Sequence, residues 1–213
     1  MENSPIARLI GVDASRAIVP RPTGTETYSR RLIEALLESD SSYRWRLYFR
    51  TEPSRTFNGA EHKVIRFPRL WTHVRLSWEM ALQPPDALFV PAHVLPPVRP
   101  PVTLVTVHDV GYLRFPRAHP VLQRLYLDLS TRWNVRTATH ILADSEATKE
   151  DLISHYGAPP AKISVAYPGY DETLAPVDDP RVIDEVRSRY GIGEKYYLHM
   201  GTIQPRKNLS VLV

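Results

Sequence analysis

ILADSEATKEDLISHYG, residues 141–157, is the stretch on which the fold turns. Ile141–Ala143 is an apolar run of the length expected for a buried strand. Ser145 is an N-cap residue, whose hydroxyl can take up one of the amide hydrogens that a first helical turn leaves free. Glu146 follows in the first turn, where a carboxylate meets the positive end of the helix dipole. The helix stops near Gly157, the residue type that closes helices in the left-handed conformation. Strand, tight turn and capped helix together make one βα unit.

The same unit recurs on either side. Ala7–Asp13 is a short apolar run, and a helix begins beyond it at Thr23. There Thr23 and Glu26 have the spacing of a capping box, and Tyr28, Leu32, Ile33, Leu36 and Leu37 form one apolar stripe. Tyr43–Phe49 alternates apolar and polar residues as a strand does. Lys63–Phe67 is a further candidate strand, followed by a helix over Leu70–Leu82. Ala87–Val90 and Thr103–Val107 are short apolar runs, and Pro120 opens a long helix that reaches about Ala138. Ile163–Ala166 closes the series. Strands alternating with helices of this length predict an α/β fold with a doubly wound, mostly parallel sheet covered on both faces. Ligands of such sheets lie beyond the carboxyl ends of the strands, so the strand-to-helix loops are where chemistry is expected.

From Tyr170 to Pro180 the chain turns acidic and proline-bearing, as a linker does. A helix, Arg181–Tyr190, comes next and is turned by Gly191–Lys195. Tyr196–Met200 (YYLHM) then reads as a strand, GTIQPRKN (Gly201–Asn208) as a loop, and Leu209–Val213 as the start of a helix. Roughly twenty residues cannot bury a core of their own. The expected division is a first Rossmann-like domain over 1–171, a linker and helix over 172–190, and the truncated opening of a second domain over 191–213.

Composition narrows the partners. A net charge of +4 over 213 residues is too small a bias to argue for nucleic acid, though it suits phosphorylated ligands or an anionic membrane surface. The absence of cysteine excludes a disulfide framework and fits a reducing cytoplasm. No apolar run is long enough to span a bilayer, and MENSPIARLIGVDA has no signal-peptide pattern. A cytoplasmic protein is expected, with peripheral contact at the inner face of a membrane as its one route to lipid. Arg66, Arg69, Trp71, Arg75 and Trp78 are a mix suited to anionic headgroups, although buried tryptophans with solvated arginines account for them equally.

In GTIQPRKN, Gly201 lets the backbone turn closely, and Arg206 and Lys207 stand where a helix begins. Free amides, the helix dipole and two cations suit a diphosphate. The residues alone leave a solvated basic turn as the other reading. The loop is neither a Walker loop nor GxGxxG. His108 and Asp109 end the Thr103–Val107 strand, where an imidazole can hydrogen-bond a sugar hydroxyl or move a proton. Asp109 either orients that ring or caps the next turn. Gly24 and Thr25, in the loop ASRAIVPRPTG and at the helix start, face the same crevice, with Arg16 and Arg21 as nearby cations or plain surface charges. For Ser145 and Glu146 the capping role suffices. His93 is a candidate at an acceptor site, and His199 reads as a packed strand residue.

A strand, a glycine and then Pro-Arg-Lys-Asn before a helix resembles the start of the second domain of glycosyltransferase family 4, whose fold is GT-B. VTVHDVGYLRFP (Val105–Pro116), Ile141–Gly157 and KISVAYPGYDE (Lys162–Glu172) resemble the family in the right order. The resemblance implies retaining transfer of a sugar, with mannose as a plausible one, from a nucleotide-diphosphate donor to a lipid-linked or saccharide acceptor. It implies no cofactor and no metal. It would put Gly201, Arg206 and Lys207 on the donor diphosphate and His108 against the donor sugar, with Asp109 beside it. The family often has two adjacent glycines where this chain has Thr23-Gly24, which puts a phosphate contact there in doubt. The family's glutamate pair belongs to the second domain. Glu26 and Glu34 share its spacing but lie on the first helix as a solvated face. The rivals are a fragment that binds without turnover and a sugar-nucleotide epimerase. A nicotinamide oxidoreductase is disfavoured because the first strand lacks a GxGxxG turn.

Overall fold

In the computed structural model the described residues are 7–39, 42–92, 94–171, 173–201, 203 and 207–212. Seven strands form one sheet: β1 (Leu9–Asp13), β2 (Arg44–Phe49), β3 (Ala60–Val64), β4 (Ala87–Val90), β5 (Val102–Val107), β6 (His140–Ala143) and β7 (Ile163–Val165). They are ordered β3-β2-β1-β4-β5-β6-β7, and every neighbouring pair is parallel. The order reverses between β1 and β4, the place where such sheets open a crevice.

The helices are α1 (Gly24–Ser39), α2 (Ser77–Leu82), α3 (Gly111–Arg114), α4 (Val121–Thr137), α5 (Glu146–Tyr156) and α6 (Pro180–Tyr190). Right-handed crossovers send helices to opposite faces according to the direction of travel across the sheet. Two cores result. One buries Leu88, Val90, Val105 and Ile141 of the sheet under Met80 of α2, Val135 of α4 and Leu152 of α5. The other packs Val12, Leu47 and Phe89 beneath Ile33 of α1. Alternate residues of β4 divide between the two cores, as the period of a strand dictates. Gly11, on the central strand, is needed for close packing: a Cβ there would stand 2.8 Å from both the Pro85 ring and the Tyr48 ring.

The caps follow the sequence. The Ser145 hydroxyl accepts the Thr148 amide at 3.1 Å, and Gly157 closes α5 at φ 64°. Asp179 caps α6, whose first residue is Pro180, and Gly191 ends it at φ 61°.

Five expectations are corrected. The strand expected at Lys63–Phe67 lies three residues earlier, at Ala60–Val64, because its register against β2 pairs Trp45 with Ala60 and Phe49 with Val64. The helix over Leu70–Leu82 is two pieces, a π-helical Trp71–Leu76 and then α2, entered through Leu70 in the left-handed conformation. Tyr196–Met200 forms no strand: among the described residues it has no sheet neighbour to complete its backbone hydrogen bonds, and it lies exposed. His199 is therefore exposed rather than packed, and a 3-10 turn over Leu209–Leu212 replaces the helix start.

Candidate functional site

A crevice of about 460 Å³ opens at the strand reversal. Arg16 from the loop after β1, Thr25 and Glu26 at the head of α1, and Ala92 after β4 form one side. Thr106–Asp109 at the end of β5 form its floor, and Tyr112 of α3, His119 of the link after it, and Gln123, Tyr126, Ser130 and Asn134 of α4 close it. Hydroxyl, amide, imidazole and ion-paired side chains line it together with the apolar Ala92, Val107 and Leu127.

His108 is its most constrained side chain. Its Nδ1 lies 2.6 Å from Asp144 Oδ2 and its Nε2 3.1 Å from the Pro91 carbonyl. The Tyr28 ring meets the imidazole edge-on at 4.9 Å, and Thr148 donates to the His108 carbonyl at 3.1 Å. The Asp144 carboxylate and the Pro91 carbonyl both only accept, so in each contact the ring nitrogen is the donor. The ring can then reach a ligand only through Nε2, by exchanging the Pro91 carbonyl. Tyr28, whose phenol burial pushes up, hydrogen-bonds Thr106 at 3.3 Å and so fixes the edge contact.

Asp109 turns away. Its Oδ1 accepts the Gly111 amide at 2.8 Å, so of the two readings of this residue the cap is the one formed. Gly24 borders open space, with nothing within 4 Å of a would-be Cβ, while Thr25 lines the crevice. The α1 entrance holds its own anion. Glu26 accepts from the Thr23 amide at 3.0 Å and from the Thr23 hydroxyl, and it pairs with Arg16 at 3.3 Å. Burial opposes the charge on Glu26, but these hydrogen bonds outweigh it and hold the carboxyl below its usual range. Glu34 pairs with Arg31 and Arg55 and belongs to the α1 surface.

Behind the crevice, Tyr112 donates to Thr131 at 2.9 Å and lies 2.7 Å from the Tyr156 hydroxyl. Tyr156 donates to Asp128 at 2.9 Å, which Arg132 also contacts. Burial and then the neighbours Tyr112 and Asp128 drive the Tyr156 phenol upward. The chain ties α3, α4 and α5 into one wall.

Of the basic loop, Gly201 and Lys207 are brought together: Lys207 Nζ is 2.7 Å from where a Gly201 Cβ would stand, and Gly201 has φ 130°. Arg206 lies outside the described residues, as does His93. In the tryptophan-arginine cluster, Trp71 is buried and donates to the Ile65 carbonyl at 2.7 Å, whereas Trp78 is 62% exposed. No described helix is long and apolar enough to cross a membrane.

Sequence reading missed Asp144, Tyr28 and the Tyr112–Tyr156 chain. Asp144 had a signal: it follows β6 as His108 follows β5, and Val107 pairs with Ala143 in the register. The tyrosines had none, because their meeting depends on how helices from different crossovers pack.

Residues 22–174 match the family described as Glycosyltransferase Family 4. Over 80 residues the chain is 36% identical to a D-inositol 3-phosphate glycosyltransferase of Kineococcus radiotolerans, which covers 37% of this chain and 18% of that protein. Its fold matches that of WaaG, a glycosyltransferase involved in lipopolysaccharide biosynthesis, with a TM-score of 0.57 and 16% identity over 87% of this chain and 52% of WaaG. The wall teichoic acid polymerase TagF aligns with a TM-score of 0.48 and 12% identity, over 90% of this chain and 45% of TagF. The chain thus spans about half the length of WaaG and less of the inositol-phosphate enzyme.

Proposed function

Because the chain belongs to Glycosyltransferase Family 4, we propose that it contributes the acceptor-side half of an enzyme moving a sugar from a nucleotide-diphosphate donor to an acceptor hydroxyl. The observation that carries this reading is His108 at the carboxyl end of β5, gripped by Asp144 and opening on a crevice of hydroxyl-binding groups. In the proposed reaction the anomeric carbon's bond to the diphosphate oxygen breaks and its bond to the acceptor oxygen forms. The acceptor proton leaves with the departing diphosphate, and the anomeric configuration is kept. His108 Nε2 releases the Pro91 carbonyl to hydrogen-bond a hydroxyl of the transferred sugar. Gly201, Arg206 and Lys207 take the diphosphate, where cations aimed at the leaving group lower the barrier. Mannose is the sugar we favour, and the acceptor is a saccharide or a lipid-linked saccharide. Protein of this kind works in the cytoplasm, at or near the membrane's inner face.

The test is release of nucleoside diphosphate from GDP- and UDP-sugars by the purified chain and by a form extended through a second domain, with and without saccharide acceptors. Acceptor-dependent release that falls at least tenfold in His108→Ala supports the proposal. Release indifferent to His108→Ala, and to Arg206→Ala with Lys207→Ala, would sink the assigned roles. Saturable donor binding without release in either form favours the binding-only alternative.

A further inference from the structure

The segment Trp71–Leu76 is wound as a π-helix, and its burial pattern accounts for the winding. Trp71 and Thr72 are buried, and so are Leu76 and Ser77, each five residues on from its counterpart. Residues five apart stand about 140° from each other on an α-helix, whereas the wider π turn brings them back to one side. Trp71 is pinned by its bond to the Ile65 carbonyl, and the Ser77 hydroxyl donates to the Thr72 carbonyl at 3.4 Å. The chain enters the segment through Leu70 at φ 53°, a left-handed conformation that is costly for a leucine. In proteins generally, both kinds of irregularity concentrate at functional sites.

The side chain that this winding directs is His73. With Trp71 and Thr72 turned to the core, His73 reaches α4, where its Nε2 lies 3.2 Å from the Tyr126 hydroxyl. The two rings meet edge to face, with centroids 6.0 Å apart and planes at 86°. Tyr126 lines the crevice, and His73 is not among the lining residues but stands behind it. Ser130, one turn further along α4, hydrogen-bonds the same phenol, and the charge of Arg16 acts on it from the opposite wall.

A phenol has one hydrogen to give and lone pairs to receive. If His73 Nε2 accepted, that hydrogen would be spent behind the wall and Tyr126 would meet the crevice as an acceptor alone. If Nε2 donates, the phenol oxygen is satisfied from behind and its hydrogen stays for Ser130 or a ligand oxygen. An imidazole donates at Nε2 both as the cation and as one neutral tautomer, and accepts there only as the other tautomer. The Glu26 and Asp109 carboxylates already supply acceptors to the crevice, and a donor on α4 complements them for a hydroxyl group, which both gives and receives. We propose that His73 is a positioning residue whose Nε2–H holds the Tyr126 phenol, so that Tyr126 donates to and selects one hydroxyl of a saccharide. The assignment rests on the reading of the crevice as a saccharide site. A phenol that accepts a hydrogen bond is also the stronger donor, so losing His73 weakens the contact without touching the ligand.

The experiment is NMR titration of the purified chain with methyl α-mannoside and methyl α-glucoside, and with the singly deoxygenated forms of each. In the wild type, loss of one particular hydroxyl should weaken binding about fivefold. Tyr126→Phe should erase that difference. His73→Phe keeps the ring contact but loses the nitrogen, and should shrink the difference to about twofold or less, with no further effect when combined with Tyr126→Phe. His73→Gln, whose amide can donate, should restore most of it. A packing role alone would weaken parent and deoxygenated sugars alike and leave their ratio unchanged. Nitrogen NMR of the wild type, which depends on no variant folding, should find a hydrogen on His73 Nε2. Binding of neither parent sugar, a ratio unmoved by His73→Phe, or a bare Nε2 overturns the proposal. Ratios that behave as stated in a protein that transfers no sugar count against the transfer reaction alone, and transfer with an unmoved ratio counts against His73 alone.

Discussion

Asp144 tests how firmly the crevice is built. Its contact with His108 is 2.6 Å long, between side chains only 18% and 20% exposed. A charge-assisted bond in such surroundings is worth about 1.5–3 kcal/mol net. An opposing cost is present: the other oxygen, Asp144 Oδ1, is buried with no partner, a penalty of about 1–3 kcal/mol. Asp144→Ala loses the bond and sheds the penalty, while water can reach the vacated Nδ1–H, so the net loss is about 1–2 kcal/mol. For a chain of this size that lowers Tm by roughly 3–6 °C. Asp144→Asn keeps an acceptor for Nδ1–H, but it gives up the charge and places an amide NH2 where Oδ1 is buried without a partner, so its Tm should still fall, by less than that of Asp144→Ala. Thermal unfolding followed by circular dichroism ranks the three proteins, and nitrogen NMR of the imidazole reports whether Nδ1 carries the hydrogen. Alanine melting at or above the wild type would refute the bond. Asparagine falling as far as alanine would show that charge, not shape, holds the ring.

Gly11→Ala forces a methyl group against Pro85 and Tyr48 at 2.8 Å and should cost about 1–3 kcal/mol in urea unfolding, with an unchanged midpoint counting against it. Asp13 is buried, and burial pushes its carboxyl above the ordinary 3.8. The folded state then holds the proton longer than the unfolded one, so the stability this residue contributes is complete below that value and is lost as pH rises through the raised one. The stability of wild type minus that of Asp13→Asn should therefore fall with rising pH, and a difference independent of pH excludes this linkage. Glu79, 4% exposed, faces Lys63 at 2.5 Å and Arg75 at 3.2 Å, so Glu79→Ala leaves two partly buried cations together and should cost about 3 kcal/mol by denaturant titration. Helix α6 buries no residue, and eleven residues are too few for a stable isolated helix, so its amides should exchange hydrogen far faster than those of α5.

The sheet was legible because its signals are local. Thr23, Ser145, Pro120, Pro180, Gly157 and Gly191 mark helix ends by their own chemistry, and apolar runs mark β4, β5 and β6. The errors fell where an element depends on something distant. Ala60–Val64 is polar on its surface and is a strand because β2 offers it an edge, whereas the more apolar residues after it continue past the ladder. Tyr196–Met200 shows the converse: a strand pattern without a neighbouring edge stays unpaired. At the site, His108 was readable from its place at the end of β5, and Asp144 was readable in principle from the β5–β6 register. The route from Tyr112 through Tyr156 to Asp128 was not, since it joins three helices whose faces only packing aligns.

The helix starts along this edge bear on which part of a donor the crevice can serve. Helix N-termini bind phosphate when their amides are free. Here Glu26 accepts the Thr23 amide just ahead of α1, Asp109 accepts the Gly111 amide that opens α3, and Ser145 accepts one first-turn amide of α5, that of Thr148. Each of these amides goes to an oxygen of the chain itself, and two of those oxygens belong to carboxylates. A phosphate at the heads of α1 and α3 would face the Glu26 and Asp109 carboxylates at close range. A hydroxyl-rich ligand has no such conflict, because it can donate to the carboxylates while accepting from threonine, tyrosine and amide groups. The crevice is thus better matched to an acceptor and to the transferred sugar than to the diphosphate. That division of labour is why the proposed reaction needs a separate cationic element, the part proposed for Lys207 with Arg206, and why Thr23-Gly24 can stand where a phosphate-binding glycine pair is not required.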